Sequence, residues 1–295
     1  MGTIDYRALA VLDAVASHGS FDKAAVALGI TQSAVSQRIK ALEDASGRLL
    51  IIRGQPAVPT GLAQRLIAHH RHVKLMEASL DIDLGNTVSM PELAIALDDD
   101  SLASWFPDAL AALLAPPRCQ LDVRLADSDS ALQMVRDGTV FGCVASGSAT
   151  VAEAAATSIT PLGTLRYVCV ATPAFAGHWF GDGFSSEAVQ LAPAVVGQYS
   201  LLARFLAEQL KLHAPFPHHS LPAEAARRAC IQTGLAYGLM PQRLAAPLLA
   251  TDRLLDLAPG RTLDVPLSWH AWTLDTPFTK LLSEQVVRSA RAYLN

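Results

Sequence analysis

The sequence predicts an N-terminal, all-α winged helix-turn-helix, a long linking helix, and a C-terminal α/β unit of two lobes. Three observations carry this. Residues 20–43 set two apolar-periodic segments on either side of Gly29-Ile30-Thr31. An apolar stripe at near-heptad spacing runs through 60–84. From residue 93 onward, short apolar runs alternate with helical patterns, the arrangement of parallel-stranded α/β folds. At 295 residues, 51% of them hydrophobic, the chain has enough material for two or three globular cores.

A first helix is expected over 5–17, where Tyr6, Leu9, Leu12 and Val15 face one way and Gly19 ends it. In the helix pair, Gly29 supplies the positive φ of a helix stop, Ile30 tucks between the helices and Thr31 caps the second. Val35, Ile39 and Leu42 recur at i, i+4, i+7 and point inward. Ser33, Ser36, Gln37 and Lys40 then fall on the outer face. That face, opened by Thr31 and Gln32 and flanked by Arg38, suits base edges and phosphates of a DNA major groove. The plainer alternative is an ordinary amphipathic helix pair, which also occurs outside DNA-binding proteins. Residues 47–60 are too apolar and β-branched for a plain loop and read as a small β-wing. Arg48 and Arg53 can reach phosphates from it, and Pro56 and Pro59 limit its pairing.

Thr60 caps a helix expected to run to residue 84. Leu62, Leu66, Val73, Met76 and Leu80 form its stripe, a seam for a second copy of the chain. His69, His70 and His72 lack nearby cysteine or acidic ligands, so they read as solvated or seam residues and not as a metal site. Residues 85–90 form a hinge. Strands are expected at 93–97, 120–126, 140–145, 165–171, 194–196, 235–240, 254–257 and 267–272. Helices are expected at 101–114, 130–137, 201–212, 224–233, 242–249 and 277–294. These divide into a head (1–59), a linker helix (60–84), lobe I (91–162 and 265–295) and lobe II (163–264). A ligand of such a clamshell sits in the cleft at the carboxyl ends of the strands.

Net charge is −4, but residues 1–75 hold nine Lys/Arg and five Asp/Glu, leaving an acidic remainder. The basic balance lies where the helix pair lies. Cys119, Cys143, Cys169 and Cys230 form no C-x-x-C pair and read as reduced thiols. No run approaches the roughly 18 apolar residues of a membrane span, and the N-terminus lacks the layout of a signal peptide, so a cytoplasmic protein is expected. Ser146 stands in Ala-Ser-Gly-Ser, outside the frame of a nucleophile elbow, and no phosphate loop or dinucleotide fingerprint occurs. No catalytic residue and no cofactor is therefore expected. A solute-binding protein would explain a clamshell but not the basic helix pair.

Ala24-Ala-Val-Ala-Leu-Gly-Ile-Thr-Gln-Ser-Ala-Val-Ser-Gln-Arg-Ile-Lys-Ala-Leu-Glu43 closely resembles the signature of the LysR-type transcriptional regulators, and the layout is similar over the whole chain. Asp5-Tyr-Arg, the segment 30–40, Asp100-Ser-Leu-Ala-Ser-Trp105, Gly163-Thr-Leu-Arg-Tyr167, Gly238-Leu-Met-Pro241 and Ser268-Trp-His270 resemble the ArgP/LysG branch, while 177–199 departs from its pattern. The resemblance implies a periplasmic-binding-protein-like effector domain that senses lysine or arginine and controls an amino-acid exporter or related metabolic genes. A different small metabolite is the alternative effector. Implied partners are double-stranded DNA, the basic amino acid, further copies of the chain (a dimer or dimer of dimers) and RNA polymerase, with no membrane.

For such an effector, the carboxylate suits a helix N-terminus, and Ser101 stands where one is expected. The cations need carboxylates. Asp98, Asp99 and Asp100 end one strand, and Asp127 and Asp129 follow the next. Asp100 and Asp127 are the first choices, then Asp98 and Asp129. Trp105 can wall the aliphatic stem or offer a cation–π face. Ser146, Gln198 and Tyr199 complete the expected lining. Lobe closure would shift the linker helices and so the DNA-reading heads.

Overall fold

The computed structural model describes residues 5–84, 92–114, 119–147 and 157–294, so the expected hinge at 85–90 lies outside it. The head opens with α1 (Tyr6–His18), whose N-terminal N–H groups of Arg7 and Ala8 are accepted by the Asp5 carboxylate. α2 (Phe21–Leu28) is capped by Ser20 and α3 (Gln32–Ser46) by Thr31, and Gly29 between them is left-handed at φ 64°. Leu9, Leu12, Val15, Ala24, Val35 and Ile39 close one small core, with Ile30 and Leu42 packed against it. β1 (Ile51–Ile52) and β2 (Val58–Pro59) pair antiparallel as the wing. Pro59 sits inside the pair and does not prevent it, because two-residue strands ask little of the missing N–H. The Glu43 carboxylate accepts from Leu50 N–H and Ile51 N–H at 2.8 and 3.2 Å, tying the wing to α3.

α4 (Gly61–Asp83) is the linking helix. Its apolar stripe divides. Ala63 and Ile67 are buried in the head's core with Leu62 and Leu66 against them, whereas Met76, Leu80 and Leu84 are exposed. The first two leucines therefore serve their own head, and only the later members are free for a second copy. The three histidines differ: His69 is exposed, as expected, and bonds the Tyr6 hydroxyl, whereas His70 is buried and His72 packs edge-on to Trp272 at 4.6 Å.

The α/β unit runs β3 (Glu92–Leu97), α5 (Asp99–Ser104), α6 (Phe106–Leu114), β4 (Gln120–Leu125), α7 (Ser128–Arg136), β5 (Gly142–Ser146) and β6 (Thr157–Ala171). α8 (Pro173–Trp179), α9 (Ser186–Val189), β7 (Ala194–Val196), α10 (Tyr199–Leu210), β8 (His218–Ser220), α11 (Glu224–Gln232), β9 (Gly238–Pro241), α12 (Gln242–Leu249) and β10 (Leu255–Asp256) follow. β11 (Leu263–Trp272) and α13 (Pro277–Tyr293) close the chain. β3 pairs parallel with β4 and β5, and β7 parallel with β8. The seven-stranded sheet is nevertheless mixed. β6 and β11 are long antiparallel partners, and β9 and β10 pair antiparallel with β6. β5 joins the C-terminal half of β11, while β9 and β10 join the C-terminal half of β6, so these two strands run through both lobes.

β6 starts at 157 and not at 165, because Pro161 and Gly163 imitate a turn. Gly163 has φ 123°, and a Cβ there would stand 2.5 Å from the Leu294 carbonyl oxygen. It lets the chain end seat against the crossing strands. The helix expected over 101–114 is broken at Trp105. Pro107 has no N–H to donate back to the Ala103 carbonyl, and Ser104 Oγ donates back to the Asp100 carbonyl at 2.6 Å.

Candidate nucleic-acid interface and ligand cleft

On α3, Val35 and Ile39 are buried, while Ser33, Gln37, Arg38 and Lys40 are exposed and Ser36 is half-buried. Thr31 and Gln32 are exposed at its start, where the Thr31 hydroxyl caps Ala34 N–H at 3.2 Å and Gln32 Nε2 donates to Ser36 Oγ at 3.2 Å. A groove of about 210 Å³ separates this end of α3 from the wing, lined by Phe21, Gln32, Ser36 and Arg53 among others. The Arg53 guanidinium lies 5.6 Å from the Phe21 ring centroid, which holds it at the groove. Arg48 is exposed on the approach to the wing. Hydroxyls, amides and cations thus share one open surface, as reading base edges between phosphates requires.

The second site is a cleft of about 440 Å³ between the lobes, at the C-terminal ends of β3, β4 and β5. Asp98, Asp99, Asp100, Asp127, Ser128 and Ser146 line it from lobe I, and Gly197, Gln198, Pro222, Ala223 and Arg227 from lobe II. Asp98 caps α5, its two oxygens accepting from Ser101 N–H at 2.9 Å and Ser101 Oγ at 2.7 Å. Asp127 likewise caps α7 through Ser130 N–H at 2.8 Å, and these bonds hold its carboxyl below the usual range. Ser146 Oγ pairs with Ser128 Oγ at 2.9 Å, joining the end of β5 to the start of α7.

Three expected residues are placed differently. Ser101 is fully buried with its hydroxyl committed to Asp98, so it has no donor for a ligand carboxylate, and three carboxylates surround its helix end. Trp105 is fully buried beside Phe106 and outside the lining, since the break between α5 and α6 turns it into the core. Asp129 is exposed and outside the lining. Gln198 begins α10 at the cleft, and the side chain of Tyr199 lies outside the described part.

Three lobe-spanning contacts were not foreseen. Arg227 Nη2 donates to Asp100 Oδ1, and the Tyr167 hydroxyl donates to Asp100 Oδ2 at 3.0 Å. Asp99 accepts from Glu224 N–H, capping α11 from across the cleft. No periodicity singles out Arg227 in Glu-Ala-Ala-Arg-Arg-Ala, where Arg228 has the same chemistry one position on. Burial pushes the Asp100 carboxyl up to about 6, against the pull of Arg227. A carboxyl raised in the folded state favours folding below its unfolded pKa, and that contribution is lost as pH rises through the folded value. The melting temperature of the protein relative to Asp100→Asn should therefore fall between pH 4 and pH 6.5. A difference that rises over this window would contradict the assignment.

A family profile described as the bacterial regulatory helix-turn-helix protein, lysR family, matches residues 6–64, and the LysR substrate binding domain matches 87–291. The chain belongs to the LysR family. It is a LysR-type, DNA-binding transcriptional regulator. The regulator ArgP of Pseudomonas fluorescens (strain Pf0-1) is 36% identical, over 98% of each chain. ArgP of Pseudomonas aeruginosa (strain UCBPP-PA14) is 38% identical over 97% of this chain and 96% of that one. The crystal structure of ArgP from Mycobacterium tuberculosis superposes with a TM-score of 0.87 at 31% identity, over 99% of both chains. Full-length LysG from Corynebacterium glutamicum with bound effector Arg gives 0.77 at 30% identity, over 99% of this chain and 100% of that one. Among the described residues, no helix is long and apolar enough to cross a membrane.

In this LysR chain, α7 connects the cleft to the head. Its first turn carries Ser128 into the cleft lining, and the turn after it holds Gly138 and Thr139 against α4. Arg71 of α4 donates to Asp13 of α1 at 2.6 Å, to Ser17 Oγ at 3.2 Å and to the Thr139 carbonyl at 3.4 Å. Trp272 donates through Nε1 to the Val135 carbonyl at 2.9 Å and receives the His72 ring edge-on. Burial lowers His72 to about 4, so this contact stays uncharged at neutral pH.

Proposed function

We propose that this regulator senses a basic amino acid, lysine or arginine, in the interlobe cleft and passes its occupancy to the DNA-reading heads. The observation that carries this is the charge of the cleft. Asp98, Asp99, Asp100 and Asp127 converge from lobe I, and among the described lining residues only Arg227 opposes them. Like charges brought together are stabilised when a cation joins them. The LysG neighbour with bound effector Arg supports the same effector class.

In this reading Asp127 and Asp98 meet the ligand's cations, with Ser146 and Gln198 at the rim. Lobe I (91–162 and 265–295) and lobe II (163–264) move about the crossing of β6 and β11, where the register shifts between Leu267 and Ser268. Closure displaces the start of α7, and its far turn moves α4. The exposed Met76, Leu80 and Leu84 pair with a second copy, which sets two heads at one operator. The protein acts as a cytoplasmic switch and not as a catalyst, in keeping with relatives named as transcriptional regulators.

Thermal shifts across the twenty amino acids test the reading: lysine or arginine should raise the melting temperature and leucine should not. Asp127→Asn keeps a helix cap but removes the charge. It should weaken lysine and arginine binding about tenfold, the worth of one charge-assisted hydrogen bond. Equal affinity in Asp127→Asn, measured by calorimetry, removes Asp127 from the site.

A further inference from the structure

We propose that Arg227 reads the effector's α-carboxylate, and so restricts the cleft to amino acids over amines that carry the same cations. The inference rests on the basic amino-acid reading above and names its missing half: lobe I supplies anions for the cations, but the carboxylate needs a positive counterpart. The obvious candidates on lobe I are spent. The N-termini of α5 and α7 are capped by Asp98 and Asp127, which add negative charge where a carboxylate would have to sit.

Lobe II offers the opposite polarity. Arg227 is the one cation among the described lining residues and is 7% exposed. A guanidinium has five N–H donors. Nη1 donates to the carbonyls of Leu221 and Pro222 at 3.1 and 2.6 Å, and Nη2 donates to Asp100. At least two donors, Nε–H among them, have no acceptor among the described residues. The carbonyls and Asp100 hold the group in place, so little side-chain entropy remains to be lost on binding.

Gly197 completes the subsite. A Cβ there would lie 2.6 Å from Nη1 and 3.1 Å from Nε, so glycine brings the backbone leading into α10 against the guanidinium. α10 is twelve residues long and has no side-chain cap at Gln198. Its open N–H groups and dipole favour an anion at the same place. A ligand with its carboxylate on lobe II and its cations on lobe I spans the two lobes, which an amine lacking the carboxylate does not do.

The test compares L-arginine with L-argininamide, its neutral-headed analogue, and with agmatine by titration calorimetry on the full chain. The wild-type protein should prefer L-arginine over L-argininamide by about 10–100-fold, and agmatine should bind no better than the amide. Arg227→Gln leaves Asp100 unpaired, so the Arg227→Gln/Asp100→Asn pair is measured beside it. In both variants the preference should shrink to within about threefold. A purely structural Arg227 would lower affinity for all three ligands and leave the ratio intact, and that result overturns the proposal. So does equal binding of arginine and its amide by wild type, although basic amino-acid sensing would then stand. A wild-type protein that binds neither lysine nor arginine defeats the underlying reading, and the proposal falls with it.

Discussion

Replacing Gly138 with valine should separate effector binding from DNA binding. Gly138 has φ 63°, and a Cβ at this position would stand 1.9 Å from Ala68 Cβ and 2.8 Å from Ala68 Cα. Left-handed backbone costs a side-chain-bearing residue roughly 1–2 kcal/mol, and overpacking adds about 1–3 kcal/mol. Neither cost need be met in full, because α4 can lift away from lobe I. Lifting it breaks the Arg71 contact to Thr139 and draws His72 off Trp272. The cleft, at the opposite end of α7, keeps its lining. The expected outcome is near-normal effector affinity by calorimetry, with operator binding that no longer changes when lysine or arginine is added. The Gly138→Ala/Ala68→Gly pair removes the Cβ–Cβ clash and should recover part of the response, since the two positions touch and their effects are coupled. If Gly138→Val transmits the effector signal as wild type does, α7 is not the connection.

The residues of this junction explain which parts of the molecule were legible from the sequence. Local signals were strong in the head. Gly29, Thr31 and the 35/39/42 repeat each act within one turn of helix, so the helix pair, its caps and its outer face emerge from the sequence directly. The wing was legible as well, from β-branched residues between Gly47 and Thr60. The acid-rich strand ends were legible because parallel strands put their carboxyl ends on one side. Long-range pairing was not. Ser101 was expected at the cleft as a donor at a helix start and Trp105 as a wall for the ligand's stem, but Asp98 takes up the Ser101 hydroxyl and the break at Trp105 turns the indole into the core. Arg227 and Asp100 are far apart in the chain, and nothing local marks the arginine that crosses the lobes. Pro161 and Gly163 looked like a turn because their strand role depends on β11 and on Leu294, both much later in the chain. The histidines of α4 carried no pattern that distinguishes solvent, a second copy, or Trp272 as their neighbour.

Substitutions on the outer face of α3 should have effects of two distinct kinds on operator binding. Gln37 is exposed and ends in an amide that can both donate and accept, the chemistry that reads adenine in the major groove. Gln37→Ala should cost about 1–3 kcal/mol on the specific operator and little on unrelated DNA. Lys40 lies three residues on, exposed on the same side, and ends in a point charge. Lys40→Ala should weaken all sequences alike and lower the slope of log affinity against log salt by roughly one. Neither side chain takes part in the head's core, where Val35 and Ile39 are buried, so both variants should unfold like wild type. The ratio of specific to non-specific affinity, followed from about 50 to 200 mM salt, separates the two roles. An unchanged ratio in Gln37→Ala together with an unchanged salt slope in Lys40→Ala would move the DNA contact to another surface, leaving the wing arginines Arg48 and Arg53 as the next pair to remove.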